Sequence, residues 1–380
     1  MISVKLGSAS ARPGQKACGQ LLVKEGKKSV RLPVAVLHGR RPGPHLVFLA
    51  NQHGNEINGF EAIRQLVAAT EPRRLCGTVF CFATLNPRAA MLMQPNWLEE
   101  HEGESPRYDS RFTVYDNPYN LNGNWPGRQG GTLAQRVIHE VWRRAILAPH
   151  RRADLVLDIH AHQSRTAVYA RNPASADLGL VTGCRFNVIT GGEGKMNTCN
   201  GVCFRNGIMA LTIEPFGQNH FFPEGVADAL RAMKNLMKFL GMIRGRLDLP
   251  TEALILDPWH SQCPWNRPEP KSCFTGYARR SGLFLTNKQS YDLVRKGELI
   301  CRLIDPFTGR AVEECRAPMS GALYMLLWGN ANVRKGDRLF TVSLVKKVKP
   351  AEYLRRRRLE PAFYRFDGPA IRQRAFSGKP

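Results

Sequence analysis

Leu46-Val47-Phe48-Leu49-Ala50-Asn51-Gln52-His53-Gly54-Asn55-Glu56-Ile57-Asn58-Gly59 reads as an apolar strand, a Gly-punctuated turn carrying His53 and Glu56, and the start of an amphipathic helix. Ligands of open α/β sheets bind outside the carboxyl ends of strands, which is where this turn falls. An imidazole and a carboxylate three residues apart on such a turn can converge on one zinc ion, a third protein ligand coming from elsewhere and a fourth position left for water.

Working outward, Gly19–Val23 and Ser29–Val36 alternate in the manner of an edge hairpin. Asn58 with Glu61 forms a capping-box start for a helix to about Thr70, and Thr78–Thr84 is a second apolar strand ending at Asn86-Pro87-Arg88. Strand, helix and strand in this order predict a βαβ unit and a largely parallel sheet. Residues 89–131 break periodicity and read as a long functional loop containing Leu121-Asn122 and Trp125-Pro126-Gly127. Thr132 with Gln135 opens the next helix. Strands are expected at Ala153–Ile159, running into His160, and at Ala167–Ala170, Phe186–Thr190 and Ile208–Ile213, the last running into Glu214. A helix over about 224–240 closes at Gly241, and residues 242–262, with Pro250 and Pro258, read as a linker.

Further on the chain repeats itself. Ser281-Gly282 precedes Val294-Arg295-Lys296-Gly297-Glu298 as Ser320-Gly321 precedes Val333-Arg334-Lys335-Gly336-Asp337, with one offset of 39 residues throughout. Two strand–turn–strand copies suggest a small β-rich unit of the hammerhead, lipoyl-like kind. No Met-Lys-Met or Asp-Lys-Ala stands at a hairpin tip there, which argues against a covalently carried cofactor.

No apolar run approaches a membrane span, and the first twenty residues lack a secretory h-region, so a cytoplasmic protein is expected. Ten cysteines without a compact framework read as free thiols, and Cys199 with Cys203 lacks partners to complete a zinc site. The net charge of +24 favours anionic partners. From Lys346 onward eleven Lys and Arg face three Asp and Glu, read as a solvated basic tail. The tail's Tyr353, Phe363, Tyr364 and Phe366 do not make an interleaved stacking platform, which weighs against nucleic acid.

His53, Glu56, His160 and Glu214 thus stand at strand ends of one expected sheet, the parts of a hydrolytic metal site with an open position and a separate carboxylate. His53-x-x-Glu56, Asn86-Pro87, Leu121-Asn122 with Trp125-Pro126-Gly127, Asp158-Ile159-His160 and Thr212-Ile213-Glu214 resemble, in order and spacing, the succinylglutamate desuccinylase and aspartoacylase family, relatives of zinc carboxypeptidases. The resemblance extends over about residues 20–345. It implies a zinc-carboxypeptidase-like α/β domain over 1–245, a β-rich domain over 246–345 and a basic tail over 346–380. It also implies one zinc ion per chain held by His53, Glu56 and His160, Glu214 as general base, and Asp158 supporting a ligand histidine. The implied reaction is amide hydrolysis of a small, anionic N-acyl amino acid.

The sequence departs from the family at two places. Gly123 and Pro95 stand where the family has substrate-binding arginines. Asn122 is retained, and Arg88, Arg107, Arg111, Arg128, Arg171 and Arg205 are the candidate replacements, Arg88 being favoured. A metallocarboxypeptidase acting on short peptides is the alternative within enzymes. A basic binding protein for nucleic acid or an acidic partner is the alternative from another class. Homo-oligomerisation is left open by the residues.

Overall fold

The structure, a computed structural model, describes residues 3–97, 119–171, 173–190, 197–256, 273–327 and 332–357. Arg107 and Arg111 lie outside them.

After a small ribbon of β1 (Val4–Leu6) and β2 (Ala9–Ala11), the long hairpin β3 (Gln15–Glu25) and β4 (Lys28–His38) leads into β5 (Arg41–Ala50), α1 (Asn58–Ala69) and β6 (Cys76–Phe82). There follow α2 (Pro87–Met91), α3 (Leu133–Val141), β7 (Leu155–Ile159), β8 (Ala167–Ala170), α4 (Pro173–Val181), β9 (Phe186–Ile189), α5 (Cys199–Arg205), β10 (Met209–Glu214), α6 (Pro223–Phe239) and β11 (Ala253–Leu256). A second β-rich region holds β12 (Cys273–Tyr277), β13 (Gly282–Leu285), β14 (Leu293–Val294), β15 (Leu299–Ile304), β16 (Ala311–Arg316), β17 (Gly321–Leu326), β18 (Asn332–Val333) and β19 (Arg338–Ser343), before β20 (Val345–Val348) and α7 (Pro350–Arg356).

Ten strands form one mixed sheet in the order β20-β11-β9-β8-β10-β7-β5-β6-β4-β3. The pairs β11·β9, β8·β9, β10·β7, β5·β7 and β5·β6 are parallel, and the other four are antiparallel. Helices cover both faces, and β5 shows why its apolar run is continuous. Leu46, Phe48 and Ala50 join the core under α1 and α6, while Val47 and Leu49 join the core under α3 and α5.

Several sequence expectations are revised. Asn58 does not cap α1; its amide donates to the Phe216 and Gly217 carbonyls and its Oδ1 accepts from Phe222 N–H, so tertiary partners outcompete the local cap. The capping box of Thr132 and Gln135 is present. The expected linker contains β11, whose four residues are too few to show periodicity, paired to β9. The expected basic tail begins in an ordered strand and helix, with Arg357 within 3.7 Å of Asp177.

The repeat forms two four-stranded sheets, β12-β19-β17-β14 and β16-β15-β13-β18. The copies exchange contacts: Lys296 N–H donates to Ser320 Oγ (2.9 Å) and Lys335 N–H to Ser281 Oγ (3.1 Å). Tyr291 docks this region on the large sheet, bonding Tyr169 hydroxyl to hydroxyl at 2.7 Å and stacking on Phe186 at 4.8 Å. Among the described residues no helix is long and apolar enough to cross a membrane.

One buried base reports on stability. His45 on β5 is 1% exposed, and its Nε2–H donates to the Ala145 carbonyl at 3.0 Å. Burial pushes its pKa down to about 3, His150 and Arg151 adding to the effect and the Ala145 bond opposing it. The native ring is therefore neutral, and the stability this secures is complete above the unfolded value and lost as pH falls toward the folded one. At pH 5 the loss is about 2 kcal/mol. Chemical denaturation at pH 7 and pH 5 should show a difference smaller by that amount in His45→Phe than in the parent protein.

Candidate metal centre

Parallel register brings the strand ends together. Leu49 and Ala50 of β5 face Asp158 and Ile159 of β7, and Thr212 and Ile213 of β10 face the same two residues from the other side. The residues that follow, Asn51–Glu56, His160 and Glu214, therefore emerge at one edge. His160 N–H donates to the Ile213 carbonyl at 2.8 Å, which fixes it level with Glu214.

Asn51 shapes the turn. At φ 56° it adopts the left-handed conformation that Asn tolerates. Its amide donates to the carbonyls of His53 (2.9 Å), Gly54 (3.1 Å) and Glu56 (3.3 Å), and its Oδ1 accepts from Thr84 Oγ (2.6 Å). A Cβ at Gly54 would lie 2.2 Å from the backbone of Ala89, so only glycine lets the turn pack on α2.

Three ligand atoms, one each from His53, Glu56 and His160, lie within 4.8 Å of one another. Glu56 Oε1 is 2.9 Å from His53 Nδ1, Glu56 Oε2 is 2.9 Å from His160 Nδ1, and the two Nδ1 atoms are 3.2 Å apart. The far nitrogens are committed as donors. His53 Nε2–H donates to Asn120 Oδ1 (3.0 Å) and His160 Nε2–H to Asp158 Oδ2 (3.0 Å). With both rings neutral, the two Nδ1 lone pairs and a carboxylate thus converge, a set that fits a divalent cation.

The electrostatics agree. Burial works against ionising Glu56, but His53 and His160 outweigh it and hold its carboxyl down to about 2. Burial also works against charging His160, yet Asp158 and Glu56 raise its pKa well above the ordinary value, so the pocket favours positive charge at this point. Burial pushes the Glu214 carboxyl up to about 8, with His160 opposing and Glu56 and Asp158 adding to the rise.

Behind the ligands runs a chain that sequence reading missed. Trp125 Nε1–H donates to Gln52 Oε1 (2.9 Å), and Gln52 Nε2–H donates to Asp158 Oδ1 (2.7 Å). Asp158 therefore accepts from two donors. Asparagine there would offer one oxygen to both, so Asp158→Asn should weaken zinc binding about 10- to 100-fold, measured by competition with a chelating dye.

Asn122 lies one step out. Its N–H donates to Asn120 Oδ1 (3.0 Å), and its Oδ1 accepts from Cys199 N–H (3.4 Å). Arg88 is exposed on α2, two residues beyond Asn86, whose amide donates to the Gln52 carbonyl. Arg171 is buried and donates to Asn200 and Thr198 at the start of α5. Pro95 is at the site, its carbonyl accepting from Gly54 N–H (3.3 Å). His162 accepts from Ser164 N–H (3.2 Å), and burial pushes it down to about 4.

Known proteins resemble this chain. Residues 42–177 match the model of the succinylglutamate desuccinylase/aspartoacylase catalytic domain. The N-α-acetyl-L-2,4-diaminobutyric acid deacetylase of Halomonas elongata is 24% identical over 340 residues, 84% of this chain and 86% of that protein. Among solved structures, the product-bound ectoine utilization protein EutE from Ruegeria pomeroyi has a TM-score of 0.70 at 20% identity, covering 90% of this chain and 98% of that one. A succinylglutamate desuccinylase/aspartoacylase from Rhodobacter sphaeroides has 0.67 at 20% identity, covering 89% and 97%. At these identities the solved structures establish the fold. The domain match over residues 42–177, the deacetylase relative and the fold agree in likening this chain to the succinylglutamate desuccinylase/aspartoacylase family.

Proposed function

We propose that the protein is a zinc-dependent amidohydrolase that removes the acyl group from a small N-acyl amino acid. The observation that carries this reading is the convergence of His53 Nδ1, His160 Nδ1 and Glu56, with both Nε2–H groups already committed elsewhere. His53, Glu56 and His160 would hold the ion. Zinc in such a site polarises the scissile carbonyl and acidifies water.

The chain's own groups do the rest. Asp158 and Asn120 fix the ring orientations that aim both Nδ1 atoms inward. Glu214 takes a proton from the attacking water and returns it to the leaving nitrogen; its support is its level with His160 and its electrostatic coupling to that residue. Asn122 and Arg88 bind the amino-acid half, Asn122 being supported by its tie to Asn120. The net charge of +24 favours an anionic substrate.

The deacetylase relative and the matched catalytic domain support deacylation rather than peptide cleavage. The expected division is a catalytic unit over 1–245, a hammerhead, lipoyl-like unit over 246–345 and a basic tail over 346–380; because β11 and β20 pair within the large sheet, we propose that the second unit lies between those two strands and walls the cleft. The two four-stranded sheets support the second unit.

The test is amine release from a panel of N-acyl amino acids and dipeptides, with metal content measured on the same preparation. Release from the acylated amino acids by a protein holding one zinc per chain is expected. Cleavage of the dipeptides alone would turn the reading to a carboxypeptidase.

A further inference from the structure

Beyond His160 and Glu214 the chain continues as two paired segments. His162 N–H donates to the Pro215 carbonyl (2.8 Å), Gly217 N–H to the His162 carbonyl (2.9 Å), and Gln163 Nε2–H to Gln218 Oε1 (2.9 Å). Against this floor lies a cavity of about 370 Å³, within the size range of small-ligand sites. Ala161 and His162 line it on the catalytic side. Met325, Leu327, Leu339 and Phe340, from and beside β17 and β19, line it on the other. Its one Lys, Arg, Asp or Glu among the described residues is Arg338, itself engaged in other contacts.

The two flanks of the metal centre are therefore unlike. Toward the 120–135 segment the neighbours are amides: Asn120, Asn122, Asn124, which donates to the Asn120 carbonyl (2.7 Å), and Gln135, which donates to Asn124 (3.2 Å). That flank suits the polar amino-acid half of a substrate. Toward the second β-rich region Met325, Leu327, Leu339 and Phe340 form an aliphatic and aromatic wall facing a floor of Gln163 and Gln218, with Arg338 at its side. That wall is held in place by the Tyr169–Tyr291 bond and by the Arg165–Asp292 ion pair at 2.8 Å. Gly123 and Pro95 cannot supply the bidentate grip an arginine gives a carboxylate, so binding must draw more heavily on another part of the substrate.

We propose that this cavity receives the acyl chain, and that the preferred acyl group is a straight apolar chain of hexanoyl to octanoyl length rather than acetyl. The assignment rests on the deacylase reading above and narrows its substrate. It predicts that kcat/KM climbs about fourfold for each methylene added from acetyl to hexanoyl, the equivalent of about 0.8 kcal/mol per buried CH₂. An ω-carboxylated acyl group of equal length should be the poorer substrate, because a second carboxylate would be desolvated against the apolar wall.

The experiment measures kcat/KM of the zinc-loaded full chain on N-acetyl-, N-butyryl-, N-hexanoyl-, N-octanoyl- and N-succinyl-L-alanine. In parallel, octanoate binding is followed by thermal shift and calorimetry. Met325→Trp, which fills the cavity, and Leu327→Glu, which charges it, should each lower the octanoyl-to-acetyl ratio at least tenfold and abolish the octanoate shift. Leu327 packs against the core of the second β-rich region whereas half-buried Met325 does not, so Met325→Trp serves if Leu327→Glu fails to fold. A flat or falling chain-length series, or octanoate binding unchanged by both variants, would overturn the assignment. Octanoate binding that depends on Met325 and Leu327, in a protein turning over none of the substrates, would instead sink the deacylase reading and leave the apolar pocket standing.

Discussion

Glu214→Gln is expected to lower kcat by about 10² to 10⁴ while the zinc content stays at that of the parent protein. Glutamine keeps the shape of the side chain and removes its capacity to accept a proton, so a loss confined to kcat marks proton transfer rather than binding. Glu214 is not among the three converging ligands, which is why metal content is the companion measurement. A variant that lost its zinc would make Glu214 a ligand, and one that kept its kcat would leave the reaction without this base. A further signature comes from the metal-free protein. There burial, aided by Glu56 and Asp158 and opposed by His160, holds the Glu214 carboxyl up to about 8. A raised acid binds its proton more tightly in the folded state, so its contribution to stability is present at low pH and lost as pH rises from the ordinary carboxylate range through 8. Glutamine should erase that slope in denaturation curves taken between pH 5 and pH 9.

Removing the metal should cost as much or more. Chelation of the parent protein, or His160→Ala, is expected to reduce kcat/KM by on the order of 10³ or more, the several kcal/mol that a bound cation lends to a developing oxyanion. Zinc added back should restore the chelated parent and not the variant. The apparent affinity should also weaken as pH falls. In the metal-free protein the carboxylates of Asp158 and Glu56 overcome burial and keep a proton on His160, and that proton must leave before Nδ1 can act as a ligand. Titration at two pH values with proton release followed in the same cuvette checks this. Zinc uptake without proton release would place the proton elsewhere.

How much of this was legible in the chain follows from which signals are local. His53 and Glu56 share one turn, and His160 and Glu214 each end an apolar run, so a parallel sheet suffices to gather them; their register did the rest. The 39-residue repeat was likewise visible because both copies keep Ser-Gly and Lys-Gly at fixed spacing. Gln52 and Asn120 escaped notice because an amide has no distinctive chemistry until its partner is known. Gln52 matters through Asp158 and Trp125, each far off in sequence, and Asn120 through His53. Asn58 misled for a related reason: its local pattern fits a cap, and only the fold reveals the loop at 216–222 that claims its side chain. Short elements such as β11 carry too few residues for any period to emerge.

The pairing of β11 with β20 has one more implication. Leu256 sits opposite Val345, and Ala253 opposite Val348, so the chain leaves the large sheet and re-enters it at neighbouring positions on adjacent antiparallel strands. In topological terms everything between those strands occupies the place of a hairpin loop. The second β-rich region is thus an insertion carried on a two-stranded stalk rather than a bead on a single string. A stalk of two bonded strands resists twisting about its own axis, so the orientation of this region is set by the large sheet itself.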